Sequence, residues 1–471
     1  MDTFPSLIIQ NEQLIPQGSF AQAQALFLNP ERNEVDALDH LLKIGNIGVV
    51  SHFYMDAELQ GILSACSWKH IQISDSLAMA DCAVDMVEAG VGSIVVLGVD
   101  FMSENVRAVL DAAGHQNIPV YRVVTQEIGC SLADAAEAKA YGAWLDYAKK
   151  SENPLHVIYI NTSLQVKARA HAKVPTITCT SSNVVQTLLQ AAAQIPNLSL
   201  WYGPDTYMGQ NLERLFQNLS MASDEQIAAL HPQHNRSTVS NMLERFSYFQ
   251  QGNCVVHHMF GAEVVEQVKR EHSDAYYTAH LEVPGEMFLL ASEAQERGKG
   301  VVGSTSNILH FILDLIDRHA QRSGKQVISV VLGTEAGMVT SIVRKVQEKL
   351  GLLVRKDISV EIIFPVASEA VAQDEGLVVI PGVAGGEGCS IAGGCASCPY
   401  MKMNSLEALT DLVEDLVEEK GKGFEAFFPK QYTELLEGRT AAEVGGEPIL
   451  YMRHFQRTGE LPAELVEMVR S

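Results

Sequence analysis

From Gly45 onward the chain alternates short apolar runs with polar turns and amphipathic stretches, and the alternation recurs in three units. Short apolar runs bounded by turn residues read as buried strands, and stretches with apolar residues three or four apart read as helices. In the first unit the strands lead into GVVSHFYMDAEL, IQISDSLAMADCAV and SIVVLGVDFMSENVRAVL. The second offers HVIYINTSLQVKARA, TITCTSSNVVQTLL and LSLWYGPDTYMGQNLERL, and the third AYYTAHLEVPGEMFLLA, GVVGSTSNILHFIL and VISVVLGTEAGMVTSIV. Strand–turn–helix three times per unit predicts an α/β fold, each unit a small parallel α/β sandwich. The expected units are 45–150, 151–272 and 273–403. Residues 1–44 read as a polar amino-terminal extension turning helical at SFAQAQALFLNP and EVDALDHLLKIG. Residues 404–471 read as a carboxy-terminal helical tail packed on the outside, with SLEALTDLVEDLVEEK as a solvated amphipathic helix.

Corresponding places in the units carry corresponding chemistry. The middle elements end in Ser74-Asp75-Ser76, Thr180-Ser181-Ser182 and Ser304-Thr305-Ser306. Such turns predict helix N-caps, whose hydroxyls and exposed N–H groups suit carboxylates or phosphates. One alone is more often only a cap; three facing a common centre point to ligand binding. The third elements share glycine, any residue, acid: Gly98 to Asp100, Gly203 to Asp205 and Gly333 to Glu335. After each third helix comes a cysteine-bearing loop, with Cys130, with Cys254, and with Cys398 in the glycine-rich stretch 381–403. In parallel sheets the functional groups lie at the carboxyl ends of strands, so these features should meet.

The bulk composition narrows the classes. With 471 residues, 47% hydrophobic and 19% charged, the chain has length for about three domains and is not a disordered type. A net charge of −23 argues against nucleic acid and anionic membranes as partners. An anionic substrate would have to be held locally, by helix N-termini and a few placed side chains. No apolar run reaches the roughly 18–20 residues of a membrane helix. The opening MDTFPSLIIQNEQLIPQ has no signal or transit character, so a cytoplasmic, reducing location is expected.

Thiols in such a compartment serve metals or catalysis. Of the eight cysteines, Cys66, Cys82 and Cys179 sit on helix faces or in apolar strands and read as ordinary core residues. Cys395-x-x-Cys398 alone could open a zinc site, but no histidine lies between His319 and His454 to complete it. It could also be a redox pair, though such motifs open a helix and are not set among glycines. One thiolate from each of three units suits an iron–sulfur cluster better, with one iron left open as a Lewis acid. A hydro-lyase or an electron carrier could use the same set, although carriers normally supply four thiolates.

The motifs SHFYMDAEL, SDSLAMA, VLGVDFMSEN, GCSLAD, YINTSLQVKA, CTSSN, YGPDTYMG, CVVHH, HLEVPGEM, GSTSN, GTEAGM and GGCASCPYMKMNSL, in this order, resemble the quinolinate synthase family. The likeness runs from Gly45 to Asn404 and is nearest to the longer plant form, whose tail also carries EPIL and MRHFQ. The plant form's amino-terminal sulfur-transfer-partner domain is expected to be lacking. The resemblance implies three homologous three-layer α/β/α domains, arranged pseudo-threefold around a 4Fe-4S cluster. Its ligands would be Cys130, Cys254 and Cys398, with a redox role for Cys389 or Cys395 left open. The implied reaction is a transferase step of NAD biosynthesis, joining iminoaspartate and dihydroxyacetone phosphate with loss of phosphate and water. By motif, His52 and Tyr54 would contact substrate and handle protons, Tyr159 and Asn161 would contact substrate, and Phe53 would be a bystander. Ser76, Ser181, Ser304 and Thr305 would grip anionic groups, and His280 would bind beside Glu282, a general base of raised pKa. Taken alone, His257 reads as a hydrogen-bond partner of Cys254, and Asp205 and Glu335 as turn caps; the resemblance turns His52 and His280, and less firmly His257, toward the chemistry. Iminoaspartate would come from L-aspartate oxidase, a homodimer is left open, and a plant-type host would imply the plastid stroma.

Overall fold

The computed structural model describes residues 4–254, 256–257, 260–365, 398–419 and 423–471. Cys389 and Cys395 lie outside the described residues. The architecture is mixed α/β, with short, mostly parallel sheets flanked by helices, and three of the sheets repeat one plan. In the first, Ile47–His52 lies between Ile71–Ser74 and Ser93–Leu97, with Val120–Arg122 beyond the latter. In the second, Pro154–Tyr159 lies between Thr176–Cys179 and Ser199–Gly203, with Phe246–Tyr248 outermost. In the third, Tyr276–His280 lies between Gly300–Gly303 and Gln326–Val331, and Ile358–Ile363 follows. All these pairings are parallel, and each sheet has the chain order second, first, third, fourth.

The sequence pattern shows three strands per unit where the structure has four. The fourth is only three residues long in the first two units, too short for a period to register. Each cysteine loop follows that fourth strand. The shared order also fixes the site: winding reverses between the first and third strands, so a crevice opens at their carboxyl ends. The first strands end on His52, Tyr159 and His280, three of the expected site residues at one equivalent position.

Helices start where the turn residues allow. Asp75 caps Ser76–Glu88, its carboxylate accepting the N–H groups of Leu77 and Ala78. Ser304 caps Thr305–Ala320 in a reciprocal capping box with Asn307. In the second unit Asn183 takes the turn instead, accepting the Thr180 N–H before Val184–Gln194 begins. The hydroxyl turns are therefore caps in one unit of three, which leaves Ser76 and Ser181 for other work.

Two outer segments depart from expectation. The polar start contains a hairpin: Ser6–Ile9 runs antiparallel to Ile358–Ile363, and Leu14–Gln17 pairs outside it. Leu7 and Ile9 are wholly buried in the third unit's core, so this stretch completes that sheet. Its alternation is four residues long and its partner lies some 350 residues away, which hides it from local pattern. Pro16 is tolerated because Leu14–Gln17 is the edge strand. The tail is the second departure. Helix Leu406–Glu419 packs on Arg32–Gly45, but Ala441–Thr458 is wedged between Leu164–His171 and Asp100–Ala112. It buries Val444, Ile449 and Met452, and a Cβ on Gly445 would stand 2.1 Å from the Leu164 carbonyl oxygen. Small residues on one face let this helix approach that closely, so it is an internal strut and not an outer cover.

Candidate active site

The three carboxyl edges open onto one cavity. The first unit lends His52, Phe53, Tyr54 and Ser76, the second Tyr159, Asn161 and Ser181, the third Glu282 and Thr305. Cys130, Cys254 and Cys398 line the same cavity. Two expected residues stand just behind the wall. His280 Nε2 lies 3.1 Å from Ser181 Oγ, and Ser304 is occupied by its cap, donating to Asn307 Oδ1 at 2.8 Å. Cys66 and Cys179 are elsewhere, the first 3.8 Å from the Val35 carbonyl and the second fully buried in its strand.

The cysteine loops are built alike. Backbone N–H groups point at each sulfur from residues just downstream: Leu132 and Ala133 for Cys130, His257 for Cys254, Tyr400 and Met401 for Cys398. Each loop is also tied to the turn after a third strand. Asp100 Oδ2 accepts the Ile128 N–H at 3.2 Å, the Gly252 N–H donates to Thr206 Oγ1 at 2.9 Å, and Glu335 Oε1 accepts the Cys398 N–H at 2.7 Å. Asp100 is braced by Arg122 at 2.8 Å, and Asp205 caps its helix through the Met208 N–H. Of the two acids expected merely to cap turns, Asp205 does so and Glu335 instead holds a cysteine loop, as Asp100 does in the first unit. Burial, helped by Asp134 and Glu282, pushes the Cys130 thiol up to about 11, and Cys254 and Cys398 rise further for the same first reason. Three thiols with aimed N–H donors, and no fourth cysteine lining the cavity among the described residues, fit a sulfur-ligated group with one open position. They fit a closed four-ligand zinc site poorly.

Beside the thiols sits an acid–base cluster. Glu282 accepts the Tyr159 hydroxyl and has His257 Nδ1 at 3.1 Å and His280 Nδ1 at 3.8 Å. The two imidazoles stack, with ring centres 5.3 Å apart and planes within 9°. The His257 approach is out of line for a hydrogen bond, and neither of its buried ring nitrogens has another partner among the described residues. Cys254, His257 and Glu282 bring their ligand atoms within 4.8 Å of one another. Burial lowers His280 to about 4 against the pull of Glu282, and lowers His52 similarly. Both rings are neutral at neutral pH. His52 Nδ1 accepts the Tyr54 N–H at 3.1 Å, which leaves Nε2 carrying the proton.

Glu282 departs from the expectation of a raised pKa. Burial does push it up, but His280, His257 and the Tyr159 hydroxyl outweigh burial and leave it below the ordinary carboxylate range. Because His280 is neutral near pH 7, the contacts that hold the charge there are those with His257 and Tyr159. Glu335 is the contrasting carboxyl: burial first, and then nearby Glu282, push it well up. Tyr54 rises through burial and the same two acids, keeps its proton, and lies 3.2 Å from Thr305 Oγ1. The arrangement can accept protons on imidazole, donate them from phenol, and stabilise the imidazolium formed.

Sequence reasoning left Glu335 outside the site and gave His257 only a weak place in it, although both line the cavity. The threefold glycine–acid pattern was the available signal for Glu335, and adjacency to Cys254 that for His257. Phe101, Met102 and Met401 also line it and carry no signal beyond hydrophobicity.

Comparison with known proteins places the chain in a family. A family model described as quinolinate synthetase A protein matches residues 36–422. The chain is 54% identical to chloroplastic quinolinate synthase of Arabidopsis thaliana, over 100% of this chain and 67% of the relative. It is 52% identical to chloroplastic quinolinate synthase of Oryza sativa subsp. japonica, over 99% of this chain and 69% of that one. Quinolinate synthase of Prochlorococcus marinus is 26% identical, over 84% of this chain and 88% of its own. The chain spans about two thirds of the plant relatives' length. With the family model covering most of the chain, and the plant proteins identical at over half the aligned positions, the chain belongs to the quinolinate synthase family in its plant-like form.

Proposed function

We propose that the chain is a quinolinate synthase, condensing iminoaspartate with dihydroxyacetone phosphate to quinolinate, with loss of phosphate and water, for NAD synthesis. Cys130, Cys254 and Cys398 would hold a 4Fe-4S cluster. Such a cluster, with one iron free of protein thiolate, supplies a Lewis acid for a substrate oxygen or nitrogen. The observation that carries this reading is the meeting of one cysteine per unit with His52, Tyr54, Tyr159 and Glu282 in one cavity. An electron carrier has no use for that acid–base set. Both substrates are anions, yet no lysine or arginine lines the cavity among the described residues. Ser76, Ser181 and Thr305 at or near helix starts, together with Asn161, Tyr159 and neutral imidazoles, would bind carboxylate and phosphate. Tyr54 would deliver a proton and an imidazole would remove one, with Glu282 balancing the charge.

The direct test is anaerobic purification followed by assay with both substrates. A brown protein with about four irons that makes quinolinate is expected; a loaded protein that makes none overturns the reading. The supply of iminoaspartate by L-aspartate oxidase, and a stromal or cytoplasmic location, belong to the same proposal. No helix among the described residues is long and apolar enough to cross a membrane.

The third unit's turn allows a sharper check, because Ser304 and Thr305 divide the labour. Ser304→Ala should cost about 1 kcal/mol of stability through the lost cap and leave the Michaelis constants alone. Thr305→Ala should keep the melting temperature but weaken substrate binding by about 1.5–3 kcal/mol if it grips an anion. Melting curves and KM values for the two variants in the reverse pattern would refute this division.

A further inference from the structure

Lys167 is the one wholly buried lysine among the described residues, and it lies behind the cavity wall. It sits on helix Leu164–His171, and its Nζ donates to the carbonyls of Ile160, at 3.1 Å, and Thr162. Those carbonyls flank Asn161, which faces the cavity. The turn is tightened further by the Thr162 N–H donating to the Ile160 carbonyl at 2.7 Å. Behind this stands Glu104 of the first unit, 2% exposed. Its Oε2 accepts the Leu164 N–H at 2.9 Å, and its Oε1 accepts the Tyr432 hydroxyl of the tail, also at 2.9 Å. Lys167 bonds the turn itself, Glu104 holds the first N–H of the helix that carries Lys167, and the Tyr432 hydroxyl holds Glu104, so segments far apart in sequence are linked to the turn in series.

Stability alone does not ask for this arrangement. A buried ammonium and carboxylate are costly, and well-packed apolar residues of similar volume serve a core as well or better. What an ammonium offers is fixed direction, since it must aim its N–H groups at carbonyls or remain unpaired. None of Lys167, Glu104 and Tyr432 lines the cavity, so none acts on substrate directly.

We propose that Lys167, backed by Glu104 and Tyr432, is a positioning network that sets Asn161 against the substrate and couples the tail to the site. This rests on the synthase reading. The network acts through one residue, so its effects must vanish when that residue is removed. The test is a double-mutant cycle in the full, anaerobically loaded enzyme: Lys167→Met and Tyr432→Phe, each alone and with Asn161→Ala. Alone, Lys167→Met should lower kcat/KM on the order of tenfold, and Tyr432→Phe about threefold, mainly through KM and with iron content unchanged. On the Asn161→Ala background both should lower kcat/KM no further. Effects that multiply on that background would show a general packing role and overturn the proposal. If Lys167→Met does not fold, Tyr432→Phe, which keeps the ring, decides alone. Failure of the unsubstituted enzyme to make quinolinate would instead strike the synthase reading and take this role with it.

Discussion

Cys254→Ser, prepared without oxygen, is expected to be folded, colourless and unable to form quinolinate. Its sulfur is one of three that line the cavity, one from each repeated unit. The His257 N–H aimed at it would stabilise a thiolate and does little for a hydroxyl that stays protonated. The loop itself should persist, because the Gly252 N–H bonds to Thr206 Oγ1 and the Thr206 N–H bonds to the Gly252 carbonyl without the sulfur. Cys130→Ser and Cys398→Ser should behave alike, since Asp100 and Glu335 anchor those loops in the same manner. Cys66→Ser is the control: its thiol lies at the end of helix Ala57–Ala65, outside the cavity, and iron should be retained. Iron measured at wild-type level in Cys254→Ser would sink the three-ligand set.

The meeting of Cys130, Cys254 and Cys398 in one cavity was legible because the repeat carried it. Strand, hydroxyl turn and glycine–acid turn recur in order, and the structure puts His52, Tyr159 and His280 at the equivalent strand ends. What stayed hidden was whatever the repeat did not encode. The fourth strands are too short to show a period, and the hairpin at Ser6–Ile9 and Leu14–Gln17 finds its partner only in three dimensions. The strut Ala441–Thr458 looked like an outer helix because Ala441, Gly445, Gly446 and Pro448 interrupt the apolar signal of a buried face that also carries Val444, Ile449 and Met452. Glu282 could be named but not its charge state, because its neighbours His257 and Tyr159 come from other strands and loops. Nothing in the sequence marks Lys167, and only its burial shows that it faces inward.

The charge state of Glu282 decides what its removal should do. A base that works alone is best with a pKa near the working pH. Glu282 lies well below that, with the Tyr159 hydroxyl on one oxygen and His257 Nδ1 3.1 Å from the other. Its fitted task is to orient these groups and to balance positive charge when an imidazole accepts a proton, as a buried carboxylate does behind a catalytic histidine. Glu282→Gln keeps the shape, still accepts from Tyr159 through its carbonyl, and removes the charge. The variant should keep its iron and bind both substrates, because no expected cysteine ligand changes. Turnover should fall roughly 10²–10⁴-fold, the usual worth of assisted proton transfer. His280→Ala is expected to differ, raising KM as well, since the ring also holds Ser181 Oγ at 3.1 Å. Measuring kcat and KM for both variants separates the cases. A Glu282→Gln enzyme with near-normal kcat would remove the carboxylate from the chemistry, and His52 with Tyr54, whose rings lie 4.9 Å apart across the cavity wall, would become the proton-handling pair.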